Sequence, residues 1–154
     1  MNQTLTDARA ASRSPAKPPG LLLVSSLDED LIQLLHIISD EEWNIYWYTN
    51  RSDALASLHK NTISAVICDR ELPDSDWKAV LSRVGNLMQP PPLIVTTRFA
   101  DDRFWAEVLN RGGYDVLMKP YAAEEVLRTV RTACASFEAM RAGGRTARGG
   151  ASAA

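Results

Sequence analysis

The sequence predicts an α/β fold, a doubly wound parallel sheet with helices on both faces. Two observations carry this expectation. Short apolar runs such as LLLVS at 21–25 are continuous rather than alternating, as strands buried on both faces require. Between these runs lie stretches with apolar residues at helical spacing, and the alternation repeats five times. Strands alternating with helical patterns make parallel sheets, because a parallel pair needs a long crossover and a helix is the usual one.

Each element has its own signal. After 21–25, the residues Leu31, Leu34, Leu35 and Ile38 recur at helical spacing. NIYWYT at 44–49 is β-branched and aromatic, hence strand-like. A short helix is expected at 52–60, capped by Asn50 or Ser52. SAVICD at 64–69 is the third strand. Val80, Val84 and Leu87 mark a helix opening near Asp74 or Ser75, and Pro90–Pro92 end that segment. LIVTT at 93–97 is the fourth strand. Phe104, Trp105, Val108 and Leu109 mark the fourth helix, with Gly112 suited to its C-cap. YDVLMK at 114–119 is the fifth strand, and Val126, Val130, Ala133 and Phe137 mark the last helix.

The 154 residues suit one domain with tails. Residues 1–19 and 143–154 are polar, small and glycine- or proline-bearing, and are expected to be disordered, leaving a folded domain at 20–142. A net charge of -2 and a pI near 5.7 argue against a general nucleic-acid binder. Cys68 and Cys134 have no metal-ligand spacing. No run is long enough to span a membrane, and the first 20 residues have no secretory apolar core, so the cytoplasm is the expected compartment.

A doubly wound sheet carries its functional crevice at the carboxyl ends of its strands. There the sequence places Ser25 and Ser26, then Asp69, Thr97, and Lys119 followed by Pro120. A carboxylate, a hydroxyl and an ammonium are expected at one rim. The motifs VICDRELPD, PPLIVTT and GGYDVLMKPY fall at successive strand ends. Through them, residues 20–139 resemble a response regulator receiver domain of two-component signalling.

The resemblance implies a flavodoxin-like strand order 2-1-3-4-5. It implies that Asp69 is the phosphoacceptor, Lys119 the cation pairing with phosphoryl oxygens, and Thr97 the hydroxyl that moves to the phosphoryl group. It implies a cis Lys119–Pro120 bond. The implied partner is a histidine kinase or phosphotransfer protein, with a further protein target, and with neither nucleic acid nor membrane. Homodimers of the family use the face of helix four, strand five and helix five. With no second folded unit expected after 142, the chain reads as a stand-alone receiver and not as an enzyme. A haloacid-dehalogenase-like phosphatase would want an aspartate where Glu71 stands.

The resemblance also has gaps. Receiver domains usually carry two adjacent acids after strand one, which hold a divalent metal; here Ser25 and Ser26 occupy those positions. Mg²⁺ prefers carboxylate and water oxygens, so a weak Mg²⁺ site on Asp69, with Glu71 or Asp28 as the rescuing acid, is the expectation. Ser26 and Glu29 fit a capping box. Val116 stands where an aromatic commonly swings, and Arg98 follows the threonine where a small residue is usual. The chain therefore reads as a phosphoreceiver with a weakened metal site; the alternative is a phosphorylation-independent interaction module.

Overall fold

A computed structural model describes residues 18–153, with side chains described through residue 143. Five strands form one parallel sheet: β1 (Gly20–Val24), β2 (Asn44–Tyr48), β3 (Ala65–Asp69), β4 (Leu93–Thr97) and β5 (Asp115–Met118). Their spatial order is β2-β1-β3-β4-β5, the flavodoxin-like order. Five helices connect and cover them: α1 (Asp28–Ile37), α2 (Arg51–Lys60), α3 (Trp77–Gly85), α4 (Asp102–Asn110) and α5 (Ala123–Ala153). A two-residue antiparallel ladder, Glu71–Leu72 with Ser75–Asp76, lies between β3 and α3. The sequence reading contained no such ladder, since two residues carry no period.

The strands form where apolar runs can be buried on both sides. Gly20–Val24 is buried throughout, and its odd and even residues face different cores. Leu22, Val24, Val66, Cys68, Val95 and Val116 pack with Trp77, Val80, Phe104 and Val108 from α3 and α4. Leu21, Leu23, Ala65, Ile67, Ile94 and Leu117 pack with Leu34 of α1 and with Val126, Val130 and Ala133 of α5. The two-residue alternation of a strand therefore sorts every side chain to one helical layer or the other.

Three helix starts are fixed by side-chain caps, each accepting the backbone N–H three residues on: Asn50 from Asp53, Asp76 from Ala79 and Asp101 from Phe104. Asn50 agrees with the sequence reading. Helix α3 opens later than expected because Asp76, rather than Asp74 or Ser75, takes the capping role. The Ser26–Glu29 capping box does not form. Leu27 is the N-cap without a side-chain bond, the Ser25 hydroxyl accepts the Leu27 N–H, and Glu29 accepts from Gln33 instead. Gly112 has a φ of 98°, the left-handed conformation that ends a helix cheaply only with glycine.

The expected tail at 1–19 falls almost wholly outside the described residues. At the other end the helical backbone of α5 runs on to Ala153, over the stretch 143–154 whose composition suggested disorder. Alanine and arginine, both good helix formers, supply half of that stretch. The side chains beyond 143 also lie outside the described residues.

Candidate functional site

The last residue of β3 answers why a buried strand should end on an acid. Asp69 continues the Ala65–Ile67 series and so points toward the α1/α5 layer, but it lies one step beyond the apolar core. Its side chain keeps 14% of its exposure. The partner strands end in register beside it, with Asp69 opposite Thr96 of β4. Lys119 follows β5 and shares the parity of Leu117, so it reaches the same layer. The bond from Lys119 to Pro120 is cis, as the resemblance implied.

These positions bring charges together. Lys119 Nζ donates to Asp69 Oδ1 at 3.0 Å. The backbone N–H of Arg70 donates to the same oxygen at 3.0 Å, and the Thr96 hydroxyl lies at 3.4 Å from it. Among the described residues every hydrogen bond to the Asp69 carboxylate thus falls on Oδ1. Oδ2 has no such partner among them.

A second carboxylate completes the cluster. Asp30 of α1 is buried, its side chain only 4% exposed, and its Oδ2 accepts from Lys119 Nζ at 2.6 Å and from the Ser25 hydroxyl at 2.7 Å. The sequence reading offered Asp28 or Glu71 as rescuing acids and missed Asp30. A signal was present: Asp30, Leu34 and Ile38 lie at i, i+4 and i+8, on the one buried stripe of that segment. An acid on such a stripe needs a partner, because burying an unpaired charge costs several kcal/mol.

Thr97 does not join this cluster. It is one residue past Thr96, so its side chain faces the α3/α4 layer. There its hydroxyl donates to the Phe99 carbonyl at 3.1 Å and accepts the Phe99 N–H at 3.2 Å. Arg70 lies on the same side. Its Nη1 also donates to the Phe99 carbonyl, at 3.3 Å, and its guanidinium lies 4.1 Å from the centroid of the Phe104 ring. Phe104 in turn meets Trp77 edge-on, with centroids 5.8 Å apart. Phe99 itself is 80% exposed. The arginine that engages this region is therefore Arg70; Arg98 is exposed.

Two neighbouring groups are shifted by their surroundings. Burial, aided by the Asp69 and Asp76 charges, pushes the Cys68 thiol far up, so Cys68 stays neutral core as expected. Burial and then the Asp30 charge push the Tyr121 phenol up, against a weak side-chain contact with Thr96; its buried hydroxyl makes no well-formed hydrogen bond.

The donor set does not suit a tightly held divalent ion. Mg²⁺ wants six oxygens in near-ideal octahedral array, usually with one or two carboxylates and several waters. Ser25 is spent on Asp30, Asp30 Oδ2 is spent on Lys119, and Ser26 and Glu71 are exposed. Among the described residues no three His, Cys, Asp or Glu side chains converge on one point.

Comparisons with known proteins agree with this geometry. The model of the response regulator receiver domain family matches residues 27–131. The C4-dicarboxylate transport transcriptional regulatory protein DctD of Rhizobium meliloti is 28% identical over 86 residues, covering 56% of this chain and 19% of that protein. The transcriptional regulatory protein PmrA of Pectobacterium parmentieri is 38% identical over 115 residues, covering 72% of this chain and 50% of that protein. The chain thus spans from about a fifth to half of the length of these two regulators. Among solved structures, the signal receiver domain of an HD domain-containing protein from Pseudomonas fluorescens Pf-5 superposes with a TM-score of 0.75 at 26% identity. That match covers 82% of this chain and 93% of the other.

Proposed function

The chain belongs to the response regulator receiver domain family, and from that premise we propose that it accepts a phosphoryl group on Asp69 and signals through altered protein contacts. Receiver domains act in two-component phosphorelays, with histidine kinases or phosphotransfer proteins as donors. The observation that carries the proposal for this chain is the 3.0 Å bond from Lys119 Nζ to Asp69 Oδ1, with Oδ2 left without a partner.

In the proposed reaction Asp69 Oδ2 attacks the phosphorus of a phosphohistidine in line. The P–O bond forms as the P–N bond breaks, and the ring leaves as neutral imidazole, keeping the proton already on its other nitrogen. Such transfers depend on positioning and charge neutralisation more than on covalent chemistry. Lys119 has three N–H donors, two of them engaged by Asp30 and Asp69, so the third is free to take a phosphoryl oxygen. Thr96 stands beside the acceptor already. Thr97 acts as the switch: to reach the phosphoryl group it must leave both of its bonds to Phe99, each worth about 0.5–1.5 kcal/mol net. The β4–α4 loop that carries exposed Phe99 would then rearrange, giving a partner a surface to read.

Receiver domains generally bind Mg²⁺. Here we propose only a weak site at Asp69 and Glu71, and no step depends on it. The proposal further holds that the domain at 20–142 works in the cytoplasm, without nucleic acid, and dimerises if at all through α4, β5 and α5. Among the described residues no helix is long and apolar enough to cross a membrane.

The test is incubation with a small phosphodonor and Mg²⁺, read by intact mass. The chain gains one phosphoryl group and Asp69→Asn gains none. An unmodified wild-type chain at high Mg²⁺ defeats the proposal and leaves the interaction-module reading in its place.

A further inference from the structure

We infer that Asp30 is a positioning residue: from inside α1 it fixes the Lys119 ammonium beside Asp69 and replaces the anion that the end of β1 lacks, without rebuilding a metal site. The inference rests on the reading of Asp69 and Lys119 given above and extends it to how the lysine is held.

The geometry carries it in three steps. Lys119 Nζ lies closer to Asp30 than to Asp69, 2.6 Å against 3.0 Å, so its firmer partner is the buried acid. The lysine and Asp30 side chains are 6% and 4% exposed, so neither is solvated without the other. A buried ammonium with one loose partner would swing between solvent and core; a second carboxylate behind it defines its place. Lysine is a flexible point charge with high rotamer freedom, so it gains more from such an anchor than arginine would.

Ser25 explains why the anchor sits on α1 and not on β1. Its hydroxyl donates to Asp30 Oδ2 at 2.7 Å. An aspartate at position 25 would put two carboxylates within hydrogen-bonding distance, and like charges so close do not both stay ionised without a further cation. One carboxylate in this corner matches one ammonium. With Asp69 the cluster holds two carboxylates and one ammonium. Placing the acid on α1 has a second consequence. A hydrated divalent ion keeps several waters, and the buried Asp30 oxygen already serves two donors, so Asp30 orders the lysine without attracting the metal.

The test uses the full, unphosphorylated chain, so its outcome is independent of whether Asp69 accepts a phosphoryl group. It reads the ¹⁵N–¹H signal of the Lys119 ammonium, which survives solvent exchange only when the group is buried and held, and Mg²⁺ affinity by tryptophan fluorescence. Wild type gives the signal and Asp30→Asn loses it, while Mg²⁺ affinity stays within about twofold, because the removed acid was no ligand. The exchanged pair Ser25→Asp with Asp30→Asn regains the signal, since position 25 is buried in the same corner, within hydrogen-bonding distance of position 30. A signal that persists in Asp30→Asn overturns the inference, as does its absence from wild type. A clear loss of Mg²⁺ affinity in Asp30→Asn makes that residue a metal ligand and overturns it as well. Should Asp30→Asn not fold, Ser25→Ala serves: it must speed exchange of the Lys119 signal, and an unchanged rate contradicts the anchor.

Discussion

The two sides of the sheet, compared at the carboxyl ends of the strands, are built from consecutive residues and do opposite work. On the α1/α5 side stand Asp69, Thr96, Lys119 and Asp30, a buried charged cluster in which one ammonium serves two carboxylates. On the α3/α4 side stand exposed Arg70 and Phe99 with buried Thr97 and Phe104: the guanidinium and the hydroxyl meet at the Phe99 carbonyl, and the guanidinium also lies over the Phe104 ring. Asp69 and Arg70 are neighbours in sequence, as are Thr96 and Thr97, and strand alternation alone sends each pair to different sides. One side is held by charges out of water, whose loss is expensive. The other is held by single hydrogen bonds to one loop backbone and by a ring contact, each small enough to be exchanged. That is the division the proposed phosphoryl-driven switch requires: a fixed acceptor and a loosely latched reporter.

The largest effect is expected on the charged side. Lys119→Met leaves the Asp30 carboxylate buried without its counter-charge, and breaking such a pair costs about 3–5 kcal/mol. Urea unfolding measures it; a loss under about 1 kcal/mol, the range of an exposed pair, would mean the cluster is effectively in water. A smaller effect is expected across the sheet. Arg70→Ala removes a hydrogen bond and a ring contact worth about 0.5–1 kcal/mol each at exposed sites. Unfolding free energy should therefore fall by no more than about 2 kcal/mol, while amide exchange at Phe99 and Ala100 rises. If exchange there is unchanged, Arg70 is no latch. The smallest effect has the opposite sign. Tyr121→Phe deletes a buried hydroxyl whose contact with Thr96 is short of a well-formed hydrogen bond, and should raise stability by up to roughly 1 kcal/mol, the desolvation penalty of an unsatisfied polar group. A loss of similar size would show that the hydroxyl has a partner after all.

Much of this was legible in the sequence because it depends on period. Continuous apolar runs marked the strands, and helical spacing marked the helices, within a few residues at each end except at the carboxyl end of α5, which runs on to Ala153. Asp69 and Lys119 were legible as polar residues that terminate such runs. Asp30 was hidden by company: in LDED the three acids are alike in composition, and only the i, i+4, i+8 alignment with Leu34 and Ile38 separates the buried one from its exposed neighbours. Thr96 was hidden for another reason. Which of two adjacent threonines faces Asp69 is a question of register between strands 27 residues apart, and no local pattern sets it. The Ser26–Glu29 capping box fitted the sequence, but the Ser25 hydroxyl engaged the turn first by accepting the Leu27 N–H. Nothing in the sequence marked Arg70, since stacking on Phe104 depends on how α4 packs.

The central claim is a division of labour between two carboxylates on either side of one lysine, with Asp69 reacting and Asp30 anchoring. Borohydride reduction tests it most directly, because an aspartyl phosphate is reduced to homoserine while a free carboxylate is untouched. After treatment with a small phosphodonor, peptide mapping should find homoserine at position 69 and aspartate intact at position 30. Homoserine at position 30, or at neither position, contradicts it.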